Sequence, residues 1–208
     1  IKAFVKSILS GFSKSSVGLP KIPSLDYAKY GEVSNQSLTK IQKISGQRLQ
    51  ASWINLPHVT QHDLADITEM EADRLKIKKL KQYRDIKISP LAYVIKACCF
   101  VLKDFERMNS SLSEDGNSII LKSYINIGFA ADTENGLIVP VIKDADKKSL
   151  IEIAEELLSL SLKARAGKLS SDEMSGATFT ISSLGGIGGT AFTPIVNAPE
   201  VAIPVSYT

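Results

Sequence analysis

The chain has 208 residues, of which 44% are hydrophobic and 23% charged, a composition typical of one sizeable globular domain with additions. A formal charge of +3 is too small to indicate nucleic-acid binding, and no apolar run approaches the roughly 18 residues of a membrane-spanning helix. Adjacent Cys98 and Cys99 are expected to be buried, reduced thiols rather than a disulfide, which favours a reducing compartment. With only two histidines in the chain, the sequence predicts no metal site.

The first 33 residues are predicted to lie outside the main domain. Apolar residues within 1–12 recur at helical spacing, and residues 13–33 begin with the Ser, Gly and Pro composition of a linker. We therefore predict that the main domain comprises residues 34–208.

Helical patterns dominate the first half of this domain. A capped helix is expected from Ser37, a charged helix from Thr68, and an apolar helix over 91–105 with Pro90 in its permitted first turn. Residues 57–67, between the first two helices, are predicted to form a strand.

Strand patterns dominate the second half. Residues 118–121 and 124–132 are predicted to form two strands across a short turn, and the apolar run 136–142 a buried strand. An amphipathic helix is expected over 150–166, ended by Gly167. This mixture of helices and antiparallel hairpins predicts an α+β fold.

A glycine-rich stretch near the carboxyl end carries the clearest chemical signal. The β-rich run 178–183 ends in Ser182 and Ser183, and four glycines follow within residues 185–189. Glycine allows a ligand to approach the backbone closely, and a serine beside such a turn can donate to a developing oxyanion. A glycine-rich hairpin turn without catalytic function is the alternative for this stretch alone.

Several further motifs occur in a fixed order and resemble one family. They are 40-KIQKISG-46, 56-LPHVT-60, 66-DITEME-71, 109-NSSLS-113, 124-YINIG-128, 135-NGLIVPV-141, 179-FTISSLGG-186 and 194-PIVNAPEVAI-203. In this order, from Ser34 to Ile203, the chain resembles the catalytic domains of bacterial dihydrolipoamide acetyltransferases, the acyltransferases of pyruvate dehydrogenase complexes. Residues 1–12 resemble the last helix of that family's peripheral-subunit-binding domain, and residues 13–33 its interdomain linker.

The resemblance implies a chloramphenicol-acetyltransferase-like fold that assembles as trimers into a larger hollow core. It implies transfer of an acetyl group from dihydrolipoamide to coenzyme A in a channel between two subunits. The lipoyl group would be carried on a separate or upstream domain, and pyruvate dehydrogenase and dihydrolipoamide dehydrogenase would be partners. The implied compartment is the bacterial cytoplasm, or the mitochondrial matrix in a eukaryote.

The resemblance also assigns candidate residues, one position at a time. Ser182 matches the family serine that stabilises the tetrahedral oxyanion. The positions that match the path of coenzyme A are Arg74, Ser89, Asp132, Ser183 and Gly186. Without the resemblance, Arg74 would be interpreted as an exposed helix charge, Ser89 as a helix cap and Asp132 as a turn residue.

The family's catalytic histidine, in an Asp-His-Arg-x-x-Asp-Gly motif, has no counterpart within these 208 residues. Neither His58 nor His62 matches it, and His58 is predicted to be a hydrogen-bonded structural residue. A chain ending at Thr208 would therefore have little activity, because a thiol near neutral pH needs a base. A core or scaffold component with impaired catalysis, and a branched-chain or succinyl acyltransferase, remain the alternatives.

Overall fold

A computed structural model describes residues 23–134, 136–184 and 188–206. The chain divides into two units, residues 1–37 and 38–208. In the described part of the first unit, Tyr27–Lys29 form a 3-10 turn.

The described part of the second unit contains four α-helices: α1 (Lys40–Asn55), α2 (Thr68–Lys79), α3 (Pro90–Asp104) and α4 (Leu150–Arg165). All four confirm the helices expected from the sequence. Reciprocal capping boxes start two of them, Thr39 with Gln42 at α1 and Ser149 with Glu152 at α4. Pro90 occupies the first turn of α3, as predicted.

The strands are short and fall into three sheets. They are β1 (Ser110–Leu112), β2 (Ile119–Leu121), β3 (Ile127–Phe129), β4 (Ala131–Thr133), β5 (Gly136–Ile138), β6 (Val141–Ile142), β7 (Phe179–Ser183) and β8 (Val205–Ser206). The main sheet has the order β6-β3-β7-β8, in which β7 runs parallel to both neighbours and β6 antiparallel to β3. The other two sheets are antiparallel hairpins, β1-β2 and β4-β5. The fold is therefore α+β, as the sequence predicts.

The core lies where α3 and α4 cover this sheet. Ile95 of α3, Ile153 of α4, and Ile127 and Ile181 of the central strands are all fully buried within one cluster. Since each buried isoleucine contributes about 1.5–3 kcal/mol of apolar transfer free energy, these contacts hold β7 firmly in place. Cys99 is buried in the same cluster and both cysteines are free thiols, as expected.

Three strand predictions were wrong. Residues 57–67 form no strand, and Val59 and Leu64 are 94% and 99% exposed, since no neighbouring strand is available for this segment. Residues 119–121 pair with β1 instead of with the segment that follows them. The apolar run 136–142 divides at Pro140, because proline has no N–H for a sheet, and its two parts join different strands.

Within the described residues, none of the helices is long and apolar enough to cross a membrane. In the same part of the chain, no three His, Cys, Asp or Glu side chains meet in an arrangement suited to a metal ion.

Candidate active site

Ser182 and Ser183 lie at the carboxyl end of β7, where they pair with β8, just beyond the residues of β7 that pair with β3. The N–H of Ser182 donates to the carbonyl of Pro204 at 3.0 Å, and Ser182 lies opposite Val205 of β8. Because the backbone N–H of Ser182 already donates to Pro204, the side-chain hydroxyl is the donor that remains available to a ligand. The hydroxyl makes no hydrogen bond to any described residue, and the side chain is half-buried.

Alternation along β7 separates the two serines. Ser182 shares a face of the strand with Thr180, while Ser183 points to the opposite face. Ser183 pairs with Ser206, whose carbonyl accepts from the N–H of Leu184 at 3.3 Å. Only one of the two hydroxyls can therefore face a given ligand from this strand.

The segment 196–200, which leads into β8, is anchored from three other elements. The N–H of Val196 donates to Nε2 of His58 at 2.9 Å, and the N–H of Ala198 donates to the buried Ser52 hydroxyl of α1 at 3.3 Å. The Ser111 hydroxyl of β1 donates to the carbonyl of Pro199 at 2.7 Å. Side chains distant in sequence thus fix the backbone of this segment.

A cavity of about 780 Å³ opens beside the same segment. Its walls come from residues 55–63, from Leu112 and Ser113, and from residues within 192–205. Val205, the strand partner of Ser182, forms part of the wall, whereas Ser182 itself does not. The cavity is large enough for a small organic group and lies next to the β7 end of the sheet.

His58 is a structural residue, as predicted. Its Nε2 accepts from Val196, so its Nδ1 carries the hydrogen and donates to the carbonyl of Leu56 at 2.7 Å. The ring also lies 5.3 Å from that of Trp53. With both ring nitrogens engaged, His58 has no free nitrogen to act as a base, and His62 is an exposed residue on the cavity wall.

Arg74 of α2, one of the predicted coenzyme A residues, reaches the backbone of Ile88, which directly precedes Ser89, another of them. The Arg74 guanidinium donates to Glu71 through Nε at 3.0 Å and Nη2 at 2.7 Å, and its Nη1 donates to the carbonyl of Ile88 at 3.4 Å. Hydrogen bonding to Glu71 raises the pKa of Arg74, and the bond from Arg74 lowers that of Glu71. Arg74 is thus a half-buried, oriented cation rather than a free surface charge, although its partner neutralises part of its field.

Ser89 is the residue before the first turn of α3, but it does not cap the helix through its side chain. Its Oγ is buried and has no hydrogen-bond partner among the described residues. A buried hydroxyl without a partner is costly, so its presence beside Ile88 marks a position where a ligand or water can bind.

Asp132, a further predicted residue, lies on the β4-β5 hairpin. Asp132 is exposed on β4, two residues after Ala130, whose N–H donates to the carbonyl of Ile181 at 3.0 Å. Because β3 and β7 are parallel, Asp132 and Ser182 follow the same end of the sheet. Gly186 lies outside the described residues.

Sequence reasoning did not single out Glu200, the buried acid of the segment beside β7. Its Oε1 accepts from the Thr180 hydroxyl at 2.9 Å and from Nδ2 of Asn197 at 2.8 Å. Burial raises the pKa of its carboxyl. The available signal was an acidic residue inside the apolar run 198–205, where solvent exposure is not expected.

Comparisons with known proteins agree with this architecture. The family described as 2-oxoacid dehydrogenases acyltransferase (catalytic domain) matches residues 30–205. The dihydrolipoyllysine-residue acetyltransferase component of the pyruvate dehydrogenase complex from Cupriavidus necator is 50% identical over 98% of this chain, and that from Pseudomonas aeruginosa 52% identical over 89%. The chain spans 38% and 34% of the length of these two curated relatives.

Solved structures show the same fold. Dihydrolipoamide acetyltransferase of Azotobacter vinelandii, studied for the roles of a serine, a histidine and an asparagine in its catalytic mechanism, superposes with a TM-score of 0.88 at 52% identity. That match covers 91% of this chain and 78% of the other. A truncated catalytic core of the 2-oxoacid dehydrogenase multienzyme complex from Thermoplasma acidophilum has a TM-score of 0.78 at 35% identity, covering 84% and 80% of the two chains. The chain therefore belongs to the 2-oxoacid dehydrogenase acyltransferase family and contains the fold of its catalytic domain.

Proposed function

We propose that the protein transfers an acetyl group from dihydrolipoamide to coenzyme A as the acyltransferase component of a pyruvate dehydrogenase complex. The observation that carries the proposal is the position of Ser182 at the carboxyl end of β7, in a chain whose relatives are named as this acetyltransferase. Its hydroxyl has no hydrogen-bond partner among the described residues, and its backbone is held by the parallel strand β8.

The reaction requires stabilisation of negative charge on one oxygen. The coenzyme A sulfur attacks the thioester carbonyl carbon, and the electron pair of the C=O bond moves to oxygen. Collapse of this intermediate breaks the bond from carbon to the lipoyl sulfur, which takes up a proton equivalent to the one the coenzyme A thiol lost. Ser182 would donate its hydroxyl hydrogen to the oxyanion, a contribution of about 3–4 kcal/mol when the donor is held rigidly.

Coenzyme A recognition would involve Arg74 and Ser89. A guanidinium can donate to phosphate oxygens, and the Ser89 hydroxyl, which has no hydrogen-bond partner among the described residues, could bond to the ligand. Asp132 and Ser183, near the β7 end of the sheet, and Gly186, which lies outside the described residues, complete the proposed set. The Arg74 guanidinium would have to be shared between the Glu71 carboxylate and a bound phosphate.

Assembly into trimers and a larger core would explain the apolar surface of this chain. Val59 and Leu64 are almost fully exposed in the extended segment after α1, and Trp53 and Ile54 of α1 are also exposed. One solved structure with the same fold is the cubic core of the pyruvate dehydrogenase multienzyme complex. Pyruvate dehydrogenase, dihydrolipoamide dehydrogenase and a lipoyl domain would be the partners, in the bacterial cytoplasm or the mitochondrial matrix.

Ser182→Ala tests this function in the polypeptide that carries the sequence. Acetyl transfer from acetyl-dihydrolipoamide to coenzyme A should fall roughly 10²–10³-fold in kcat with little change in KM, because the lost donor acts mainly on the transition state. Ser161→Ala is the matched control, since that hydroxyl donates to the carbonyl of Leu157 within α4.

Two outcomes would contradict the proposal. Equal rates for Ser182→Ala and the parent would remove the serine from the mechanism. Coenzyme A binding without acetyl transfer by the parent polypeptide would instead support the scaffold alternative.

A further inference from the structure

Glu200 is the most deeply buried carboxyl group described in this chain, and the chemistry above leaves it without a function. The residue is 2% exposed. Its Oε1 accepts two hydrogen bonds, from Thr180 and Asn197, while its Oε2 is buried and has no partner among the described residues. Glutamate side chains are usually exposed to solvent, so the burial of this one indicates that its contacts have a specific role.

The contacts of Glu200 lie next to Ser182. Thr180 and Ser182 are two residues apart on β7 and share a face of the strand. Four residues after Glu200, the carbonyl of Pro204 accepts from the N–H of Ser182 at 3.0 Å, and Val205 begins the β8 pairing. One short segment therefore binds β7 twice, by the Glu200 side chain at Thr180 and by its backbone at Ser182.

Burial outweighs the effect of the nearby cation on the pKa of Glu200. The cation whose field acts on it is Lys122, and its Nζ donates to the Ser111 hydroxyl at 2.7 Å and to the carbonyl of Ser110 at 3.3 Å. No ion pair joins Lys122 to Glu200 within the described residues. An unpaired buried carboxylate is far more costly than a protonated one, and burial raises the pKa of Glu200 accordingly.

We propose that Glu200 is a positioning residue that, through the hydrogen bonds it accepts from Thr180 and Asn197, fixes segment 197–204 on β7 and thereby holds the Ser182 hydroxyl in its reactive position. This inference rests on the proposed function of Ser182. It differs from a general contribution to stability, because the effect of Glu200 on the reaction is expected to pass through that one hydroxyl.

A double-mutant cycle separates the two possibilities. Glu200→Ala should lower kcat roughly tenfold or more with little change in KM for coenzyme A, because small misplacements of a catalytic group are costly. The same substitution should have almost no effect on kcat in a Ser182→Ala background, since no hydroxyl is left to position. Independent, multiplying effects of the two substitutions would overturn the proposal.

Two further variants examine the contact. Glu200→Gln keeps the size and the Oε1 acceptor, and should restore most of the rate that Glu200→Ala loses. Thr180→Val removes the donor on β7 and should reproduce the Glu200→Ala loss, which also covers the case in which Glu200→Ala does not fold. A glutamine variant as slow as the alanine variant would contradict positioning through the Oε1 acceptor.

Amide hydrogen exchange supplies a measurement that does not depend on activity. In Glu200→Ala the Ser182 N–H, bonded to Pro204, should exchange at least about tenfold faster than in the parent. The Ala130 N–H, which bonds Ile181 on the other side of β7, should be unchanged. If the parent transfers no acetyl group, the proposed function fails, but faster exchange at Ser182 alone would still support the positioning; equal exchange at both amides would overturn it.

Discussion

Two serines assigned from the same resemblance, Ser182 and Ser89, occupy very different surroundings. Ser182 lies near the end of β7 and pairs with the parallel strand β8, and its backbone N–H is bonded to Pro204. Ser89 precedes a helix, next to the Ile88 carbonyl that accepts from Arg74, and its buried hydroxyl has no described partner. The strand end is positioned by backbone hydrogen bonds from distant segments, whereas the helix start is positioned by side chains on neighbouring helices.

This difference suits the two regions to different roles in the proposed reaction, transition-state stabilisation and ligand binding. A transition state that differs from its ground state by one charged oxygen needs a rigid donor, which a sheet supplies. In the proposed function, coenzyme A is bound through its phosphates, and the half-buried Arg74, oriented by Glu71, is a cation suited to their oxygens. The predictions below disturb one region at a time.

The largest effect is expected from Gly128→Ala in β3, opposite Thr180. A Cβ at this position would lie 2.7 Å from Oγ1 of Thr180 and 2.9 Å from Cγ1 of Val139, so both must move. Overpacking of this kind costs about 1–3 kcal/mol of unfolding free energy, and it disturbs the Thr180 contact with Glu200. Urea unfolding measures the loss, with Gly46→Ala on exposed α1 as the control, where no atom lies within 4 Å.

An unchanged unfolding free energy in Gly128→Ala would show that the β3-β7 pair is less tightly fitted than the structure indicates. A loss of acetyl transfer without loss of stability would indicate that the Thr180 contact is disturbed alone.

Arg74→Ala should weaken coenzyme A binding about tenfold, equivalent to roughly 1.4 kcal/mol. The loss is smaller than for a free guanidinium, because Glu71 and the Ile88 carbonyl already accept from it. Calorimetric titration compares it with Lys168→Ala, an exposed charge after α4. Equal affinities of the two variants would remove Arg74 from the binding site.

The stability of the parent relative to Glu200→Gln should fall as the pH rises. Burial raises the pKa of Glu200 above its ordinary 4.5, so the folded chain binds this proton more tightly than the unfolded chain. The stabilisation is complete below the unfolded pKa and is lost as the pH rises towards the folded pKa. The relative loss is at most about 1.4 kcal/mol per pH unit. Urea unfolding of both proteins between about pH 5 and 8 checks this, and parallel pH profiles would contradict a raised pKa of Glu200 in the folded chain.

The smallest effect is expected from Ser89→Ala. Removing a buried hydroxyl that has no partner should change the unfolding free energy by less than about 0.5 kcal/mol, or raise it slightly. If the hydroxyl binds coenzyme A, the affinity should nevertheless fall about threefold to tenfold. A marked loss of stability would show instead that Ser89 makes a structural contact.

The sequence by itself determined the helices, the class of fold and the candidate serine. Capping boxes at Thr39 and Ser149, proline at the start of α3 and apolar periodicity act within a few residues, so they can be recognised without a structure. The order of the motifs along the chain likewise identified Ser182 as the candidate serine. These features depend on local chemistry, which the order of residues contains directly.

Only the tertiary structure decided the strand partners and the surroundings of the candidate residues. Residues 57–67 have a strand-like sequence, but a strand requires a neighbour that periodicity cannot identify. The same holds for His58, whose two nitrogens are taken by Leu56 and Val196, and for Glu200, whose partner Thr180 lies on another strand. Burial and hydrogen bonding between distant residues arise when the chain folds, so they decide whether a titratable group is a base, a structural contact or a neutral acid.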